Sequence, residues 1–229
     1  HPLWSRGLGD VYKRQDLMKN YFKILFSAAA ISVFTLSSAY SGMGVSLMYG
    51  QVETDGTETE RTVSGVTSET TNASRSEKYF GGSVFFEGDV GPITLGLDVV
   101  PLKIKLGDGS RTDTTSDANE TTQEDGTVKA EATLDYLTTI YAHYPIGDYY
   151  AGLGFHYTNV STDESLHTSS YGDESITGFQ LALGMNSGNL RYEVSYSDFD
   201  DISLTSSNGD KITADADNLM FKLSYVYGN

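Results

Sequence analysis

The chain of 229 residues carries 31 acidic and 15 basic residues, a formal net charge of −16, and no cysteine. This charge excludes a nucleic-acid-binding role, because phosphate recognition needs clusters of Lys and Arg. The absence of cysteine also excludes the disulfide stapling that small secreted domains use. The length is compatible with a single domain.

The first 39 residues differ from the rest of the chain and are predicted to be absent from the folded protein. Residues 1–17 have no recognisable pattern and are interpreted as a non-native leader. Residues 18–39 are predicted to be a secretory signal peptide, because Lys19 and Lys23 precede an apolar run and small residues precede position 40. The run has about 13 residues, fewer than the roughly 20 that a membrane-spanning helix needs. The folded protein is therefore predicted as residues 40–229.

After residue 40, apolar and polar residues alternate with a period of two, which is typical of β-strands with two unlike faces. No helical period of useful length occurs in this region. Near residue 155, for example, Leu153 and Phe155 alternate with Gly154 and His156. The eight predicted strands are about Gly42–Val52, Ser76–Glu87, Pro92–Lys105, Val128–Tyr144, Tyr149–Val160, Ser175–Met185, Asn189–Phe199 and Asp217–Tyr227, with a distortion expected at Pro101.

The connections between these strands alternate strictly between long and short. Both termini lie at the short-turn end, which is typical of outer-membrane barrels with short periplasmic turns and longer external loops. We therefore predict an all-β fold, a closed eight-stranded antiparallel up-and-down transmembrane barrel whose last strand pairs with its first. The long connections are about Glu53–Arg75, Leu106–Thr127, Ser161–Glu174 and Asp200–Ala214, and the short ones are Gly88–Gly91, Pro145–Asp148 and Asn186–Gly188.

Alternation alone does not say whether the apolar face points outward to lipid or inward, as it does in a soluble lipocalin-like barrel. The polar face is small or charged, which suits an eight-stranded interior that is only wide enough to be filled by side chains. Tyr and Phe residues lie toward the ends of the apolar stripes, as in an interfacial girdle. The apolar face is therefore predicted to point outward, with Leu134 and Tyr136 on it and Asp135 on the inner face.

The aromatic residues Phe221, Tyr225 and Tyr227 alternate along the last predicted strand. Together with the signal, the eight strands and the loop alternation, they resemble the small outer-membrane barrels of the OmpX/Ail and OmpA transmembrane-domain type, over residues 40–229. The resemblance implies a place in a Gram-negative cell envelope and a last strand that the barrel-assembly machinery recognises. In those families the final residue is usually aromatic, whereas Gly228 and Asn229 follow Tyr227 here.

Polar and charged residues on the inner face are interpreted as a satisfied interior, because buried charges must be paired; a gate is the other interpretation. Arg191 and Lys222 are expected to neutralise carboxylates on neighbouring strands. Catalysis by His143 or His156, as in barrels that modify lipid A, is disfavoured because both are predicted to face away from lipid. The predicted interior set is Glu87, Asp98, Asp135, His143, His156, Gln180, Arg191, Glu193 and Lys222.

The long connections are acidic and rich in Ser and Thr, so they are predicted to be mobile external loops. No calcium-loop spacing occurs, and no metal or cofactor is expected. The favoured function is a non-enzymatic, porin-like outer-membrane protein with a structural or surface-interaction role and no open pore. Expected partners are outer-membrane lipid and lipopolysaccharide, the assembly machinery, and an extracellular ligand or host surface. A lipid-A-modifying enzyme and a soluble ligand-binding barrel are the alternatives.

Overall fold

The computed structural model describes residues 41–61, 67–113, 126–165, 170–207 and 209–227. The predicted leader (residues 1–17) and the predicted signal peptide (residues 18–39) lie outside the described residues. In the described part of the chain, no helix is long and apolar enough to cross a membrane.

The described residues form ten β-strands, and all eight predicted strands are present among them. Most of the strands extend beyond their predicted bounds. They are β1 (Ser41–Arg61), β2 (Thr67–Val90), β3 (Ile93–Val100), β4 (Ile104–Asp113), β5 (Gly126–Ile146), β6 (Tyr149–Glu164), β7 (Glu174–Ser187), β8 (Leu190–Phe199), β9 (Ile202–Thr205) and β10 (Lys211–Tyr227).

These strands form one closed antiparallel ring with eight wall positions. The strands β3 and β4 share one position, because the chain leaves the ladder at residues 101–103, where the expected distortion at Pro101 is confirmed. The strands β8 and β9 share another. The ring closes where β10 pairs with β1, from Met43 opposite Tyr227 to Thr59 opposite Lys211. The predicted pairing of the last strand with the first is therefore confirmed.

Three two-residue turns join strands at one end of the ring, at residues 91–92, 147–148 and 188–189. Gly91, Gly147 and Gly188 have φ angles of 65°, 67° and 59°. This left-handed backbone is open to glycine without strain and matches the twist of a tight hairpin. The first and last strands also begin and end here, so this is the short-turn end predicted from the sequence.

A continuous apolar band surrounds the outside of the ring next to the short-turn end. Leu153, Leu181 and Leu183 are each 63% exposed, and Phe179 is 66% exposed. Tyrosines lie toward both ends of the band, such as Tyr49 and Tyr196 at one end and Tyr149 and Tyr227 at the other. This face is suited to contact with lipid, because soluble proteins rarely expose so large and continuous an apolar surface to water. The outward prediction is confirmed, and the soluble ligand-binding barrel is the wrong alternative.

Beyond the band, the same strands reverse which face is apolar. Along β1, Leu47 and Tyr49 point outward into the band, whereas farther on Val52 points inward at 1% exposure and Glu53 points outward. The reversal follows from the change of solvent, since the outside is lipid next to the band and water above it. The inward apolar side chains form what we call the outer core: Met48, Val52, Val100, Ile104, Leu106, Leu134, Leu137, Val160, Ile176, Phe199, Ile202, Leu204, Ala216 and Met220.

The assignment of the four long connections to loops is wrong over much of their length. The strands continue through residues 53–61, 67–75, 106–113, 161–164, 202–205 and 211–214, all of which had been assigned to loops. Leu106 and Leu204, two residues of these segments, are only 3% and 6% exposed. The average composition of these segments is polar because one face of each strand meets water. The prediction relied on this average and missed the apolar residues that alternate along the other face. Residues 62–66, 114–125, 166–169 and 208 lie outside the described part.

A bulge in β5 shifts the phase of the alternation. Tyr136 has a φ of 54°, and the register with β6 shifts between Asp135 and Thr138. Leu134 therefore faces inward, opposite Val160, and is 1% exposed. The predictions that Leu134 faces lipid and that Asp135 lies in the interior are both wrong, because one extra residue turns each side chain to the other face.

On the outer face, Asp135 takes part in a local polar cluster. It accepts hydrogen bonds from Thr133 at 2.8 Å and from Ser161 at 3.0 Å, and Lys103 Nζ lies 3.1 Å from its Oδ2 atom. Burial is the largest single cause acting on the pKa of Asp135, and it raises the pKa. The hydrogen bonds and the Lys103 charge together outweigh burial, so the pKa is lowered overall.

The apolar band predicts that the stability lost when a charged side chain is introduced depends on its position along the barrel. Replacing Leu181 by Arg, halfway along β7, should lower the free energy of unfolding in a lipid bilayer by about 2–4 kcal/mol, because the guanidinium must enter the hydrocarbon layer. Replacing Ser203, on the exposed outer face of β9, by Arg should change it by less than about 1 kcal/mol. Equal losses for the two variants would show that the band does not meet lipid.

Candidate functional site

Six of the predicted interior residues meet inside the barrel, toward the short-turn end. They come from five different strands, so contacts across the lumen bring them together. We call this group the ionic plug: Glu87 of β2, Asp98 of β3, His143 of β5, Arg191 and Glu193 of β8, and Lys222 of β10.

The first half of the ionic plug is a bidentate ion pair between Glu87 and Arg191. Arg191 Nη1 donates to Glu87 Oε2 at 2.8 Å, and Nη2 donates to Oε1 at 2.7 Å. The Tyr141 hydroxyl donates to Glu87 Oε2 at 2.7 Å, and Arg191 Nε donates to Asn186 Oδ1 at 3.1 Å. Both charged side chains are nearly buried, at 5% and 9% exposure. Each charge therefore depends on the other, because a buried charge is tolerated only with a matched partner.

The second half is organised around Lys222. Its Nζ atom lies 2.9 Å from Asp98 Oδ2 and 3.3 Å from Glu193 Oε1. The Tyr150 hydroxyl donates to Glu193 Oε2 at 2.6 Å, and His143 Nε2 lies 3.5 Å from the same oxygen. One ammonium group thus serves two carboxylates and joins β3 to β8 across the lumen.

Two tyrosine rings enclose the His143 ring. The centroid distances are 4.4 Å to Tyr141 and 4.2 Å to Tyr150, with interplanar angles of 27°. Each tyrosine lies over a glycine directly opposite on the next strand, Tyr141 over Gly96 and Tyr150 over Gly184. A Cβ atom at either glycine would overlap the ring, so these glycines let large side chains lie across a narrow lumen. The sequence showed the small inward residues but not which large side chain each one faces.

His156 lies in the lumen but outside the ionic plug. Its Nδ1 atom is 2.7 Å from Thr139 Oγ1, its Nε2 atom is 2.8 Å from Ser197 Oγ, and its ring stacks on Phe199. A hydroxyl bonded to an imidazole is the arrangement of a nucleophile and its base. His156 and Ser197 are 1% and 0% exposed, however, so the pair does not reach the lipid or water where a substrate would be. The hydroxyl of Thr158 donates to the Asp135 backbone carbonyl instead.

Tyr171 covers the outer core from the side away from the short turns. Its ring packs against the outer core, its hydroxyl donates to Glu58 Oε1 at 2.9 Å, and its backbone N–H donates to both carboxylate oxygens of Glu164. Burial and the neighbouring Glu58 carboxylate raise the pKa of Tyr171. The sequence placed Tyr171 in a predicted mobile loop, since a lone aromatic residue between Ser and Gly gives no periodic signal.

Outward carboxylates form an acidic wall above the apolar band: Asp55, Asp198, Asp201, Asp215 and Asp217. In the ladders, Asp55 is directly opposite Asp215, and Asp198 is directly opposite Asp217. Like charges in these positions destabilise a sheet. The hydrogen bond with Asp201 and the charges of Asp201, Asp55 and Asp198 raise the pKa of Asp215. Within the described ranges, no group of three or more His, Cys, Asp or Glu side chains is arranged to hold a metal ion.

Comparisons with known proteins give a likeness in structure only. No protein-family description matches the sequence, and no curated protein matches it. The outer membrane protein OprG from Pseudomonas aeruginosa is 12% identical, with a TM-score of 0.44 over 81% of this chain and 97% of OprG. Neisserial surface protein A is 11% identical, with a TM-score of 0.41 over 79% of this chain and 96% of that protein.

At such low sequence identities, no residue of this chain is assigned a role from these proteins. The fold assignment rests on the strand pairing itself. A closed antiparallel ring with an outward apolar band and a filled interior is a transmembrane β-barrel of the outer-membrane type.

The ionic plug predicts a large effect of breaking its bidentate pair. Replacing Arg191 by Leu should lower the free energy of unfolding by about 3–5 kcal/mol, because Glu87 is left buried without its partner. The heat-denaturation midpoint in detergent measures the effect. The double variant with Glu87 also replaced by Leu should recover much of the loss, since no unpaired charge remains. An unchanged midpoint for Arg191→Leu alone would contradict the dependence of Glu87 on Arg191.

The acidic wall predicts a stability that depends on pH. Replacing Asp215 by Asn should raise the heat-denaturation midpoint at pH 7, because it removes one of several adjacent negative charges. As the pH falls through the raised pKa of Asp215, the folded wild-type protein binds a proton before the unfolded chain does and gains stability. The advantage of the variant should therefore shrink between pH 7 and about pH 4. Asp148→Asn, in a short turn, is the control and should leave the midpoint unchanged.

Proposed function

We propose that this protein is a non-enzymatic barrel of the bacterial outer membrane with a structural or surface-interaction role and no open pore. The observation that carries the proposal is a lumen filled by two different layers. The ionic plug fills it toward the short-turn end, and the outer core fills it toward the opposite end. A solute would have to break buried ion pairs and then displace closely packed apolar side chains.

The orientation of the barrel follows from its connections. We place the three short turns in the periplasm and the long β1–β2 and β4–β5 extensions outside the cell, as in outer-membrane barrels generally. The apolar band then contacts membrane lipid, and the rim above it lies at the level of lipopolysaccharide. Phe221, Tyr225 and Tyr227 point outward on β10 and are 56%, 42% and 52% exposed. Their exposure fits the proposed recognition of the last strand by the assembly machinery.

The surface-interaction role rests on the extracellular extension. Its strands are ordered around an apolar core, and they present polar and acidic side chains to water, including the acidic wall. A rigid surface loses less conformational entropy on binding than a mobile loop does, which favours recognition of an extracellular ligand or host surface. A relationship to the OmpX/Ail or OmpA transmembrane-domain type would agree with this architecture and is part of the proposal.

The lipid-A-modifying alternative has one specific observation in its favour, the hydrogen bond between Ser197 and His156. We propose no catalytic role for this pair, because both side chains are buried in the lumen and not at the lipid surface. Mass spectrometry of lipid A from cells with and without the protein separates the two functions. A mass change that disappears in Ser197→Ala would establish the enzyme and overturn the proposal.

Because the ionic plug and the outer core both fill the lumen, the outcome of conductance measurements can be predicted. In planar bilayers, the wild-type protein should show no stable openings. The double variant Glu87→Ala and Arg191→Ala should show none either, because the outer core remains filled above the cavity that the substitutions create. Migration on an unboiled detergent gel confirms that both proteins are folded, since closed barrels resist unfolding until heated. Large stable openings in the folded wild-type protein would contradict a filled lumen.

A further inference from the structure

The ionic plug surrounds a cavity of about 10 Å³. This volume is at the lower limit of what one water molecule requires. The lining includes Asp98, His143, Gln180, Lys222 and Ser224. The cavity lies where the half of the plug built on Glu87 and Arg191 meets the half built on Lys222.

Two of the residues that line this cavity each have a buried polar side-chain atom with no hydrogen-bond partner among the described residues. These atoms are Asp98 Oδ1 and His143 Nδ1, in residues that are 4% and 7% exposed. The other polar atom of each side chain is already used, since Asp98 Oδ2 accepts from Lys222 and His143 Nε2 lies next to Glu193. Buried polar atoms of this kind are nearly always hydrogen-bonded, and both residues line the same cavity, so the cavity is the place to look for the missing partner.

The charges around the cavity decide the class of this ligand. An anion is disfavoured by the free Asp98 oxygen and by Glu193. A metal cation is disfavoured by Lys222 and Arg191, which also line the cavity, and by a volume too small for a hydrated ion. A neutral molecule of water size can donate to the carboxylate, and it can bond to the imidazole nitrogen in either tautomer.

We propose that the cavity is a binding site for one water molecule, which hydrogen-bonds to Asp98 Oδ1 and His143 Nδ1 and so links two members of the half of the ionic plug that is built on Lys222. The inference rests on the proposed closed lumen, because an open pore would hold exchanging solvent at this level. The bound water completes the hydrogen bonding of the plug and fixes the orientation of the His143 ring between the two tyrosines.

The number of long-lived internal waters tests the site. Oxygen-17 relaxation dispersion of the folded protein in detergent should count one fewer such water in His143→Gln than in the wild type. Glutamine can replace the Nε2 contact with Glu193 but offers no group at the position of Nδ1. His143→Asn, whose amide does reach that position, should retain the count. His156→Gln is the matched control and should retain it as well, because both nitrogens of His156 bond directly to Thr139 and Ser197.

A crystal structure of the wild-type protein provides a test that does not depend on how the variants fold. An oxygen atom within hydrogen-bond distance of both Asp98 Oδ1 and His143 Nδ1 supports the proposal. A dry cavity, or a chloride or metal ion in it, overturns the proposal. Equal counts for the wild type and folded His143→Gln overturn it too. Bilayer conductance separates the two failures, since a dry cavity in a non-conducting barrel leaves the proposed function intact.

Discussion

The structure depends on one constraint, that every backbone N–H and C=O group inside a membrane must find its partner within the protein. Closure of β10 onto β1 meets this constraint where the first and last described strands come together, and it does so over the whole run from Met43 to Thr59. The short glycine turns follow from it, since adjacent strands must return without leaving unpaired groups. Because the backbone groups of the wall are paired, the direction of each side chain depends on its surroundings. Next to the membrane, apolar side chains point toward lipid and polar side chains point toward the lumen.

The lumen shows what closure imposes on the interior. Eight strands leave a space that side chains can fill, and the charged ones must be compensated there because water is largely excluded. Glycines opposite Tyr141 and Tyr150 make room for rings that reach across the space, and those hydroxyls bond the carboxylates of Glu87 and Glu193. The result is a plug in which the charges are held by contacts between strands far apart in sequence. Such a network fits structural closure better than catalysis.

The reversal of the apolar face along a single strand explains why the part of the barrel above the apolar band is built of paired strands. Next to the band, the outside is lipid and the inside is polar. Above it, the outside is water, and Leu106, Leu134 and Ile202 turn inward. The barrel therefore behaves as a membrane protein at one end and as a soluble β-barrel at the other. This combination places the acidic wall on paired strands over a packed core, although its like charges repel one another.

The sequence by itself determined the eight strands, their order, the short turns and the outward apolar face, because period-two alternation and turn residues are local properties of the chain. It also supplied the members of the ionic plug, since inward charges are conspicuous on otherwise small faces. Only the tertiary structure decided which charged side chains form ion pairs, since Arg191 pairs with Glu87 and not with Asp135. The bulge at Tyr136 moved Asp135 out of the lumen by shifting the phase of β5. The ordering of the supposed loops was likewise decided in three dimensions, because their apolar residues gain stability only when the whole ring brings them together.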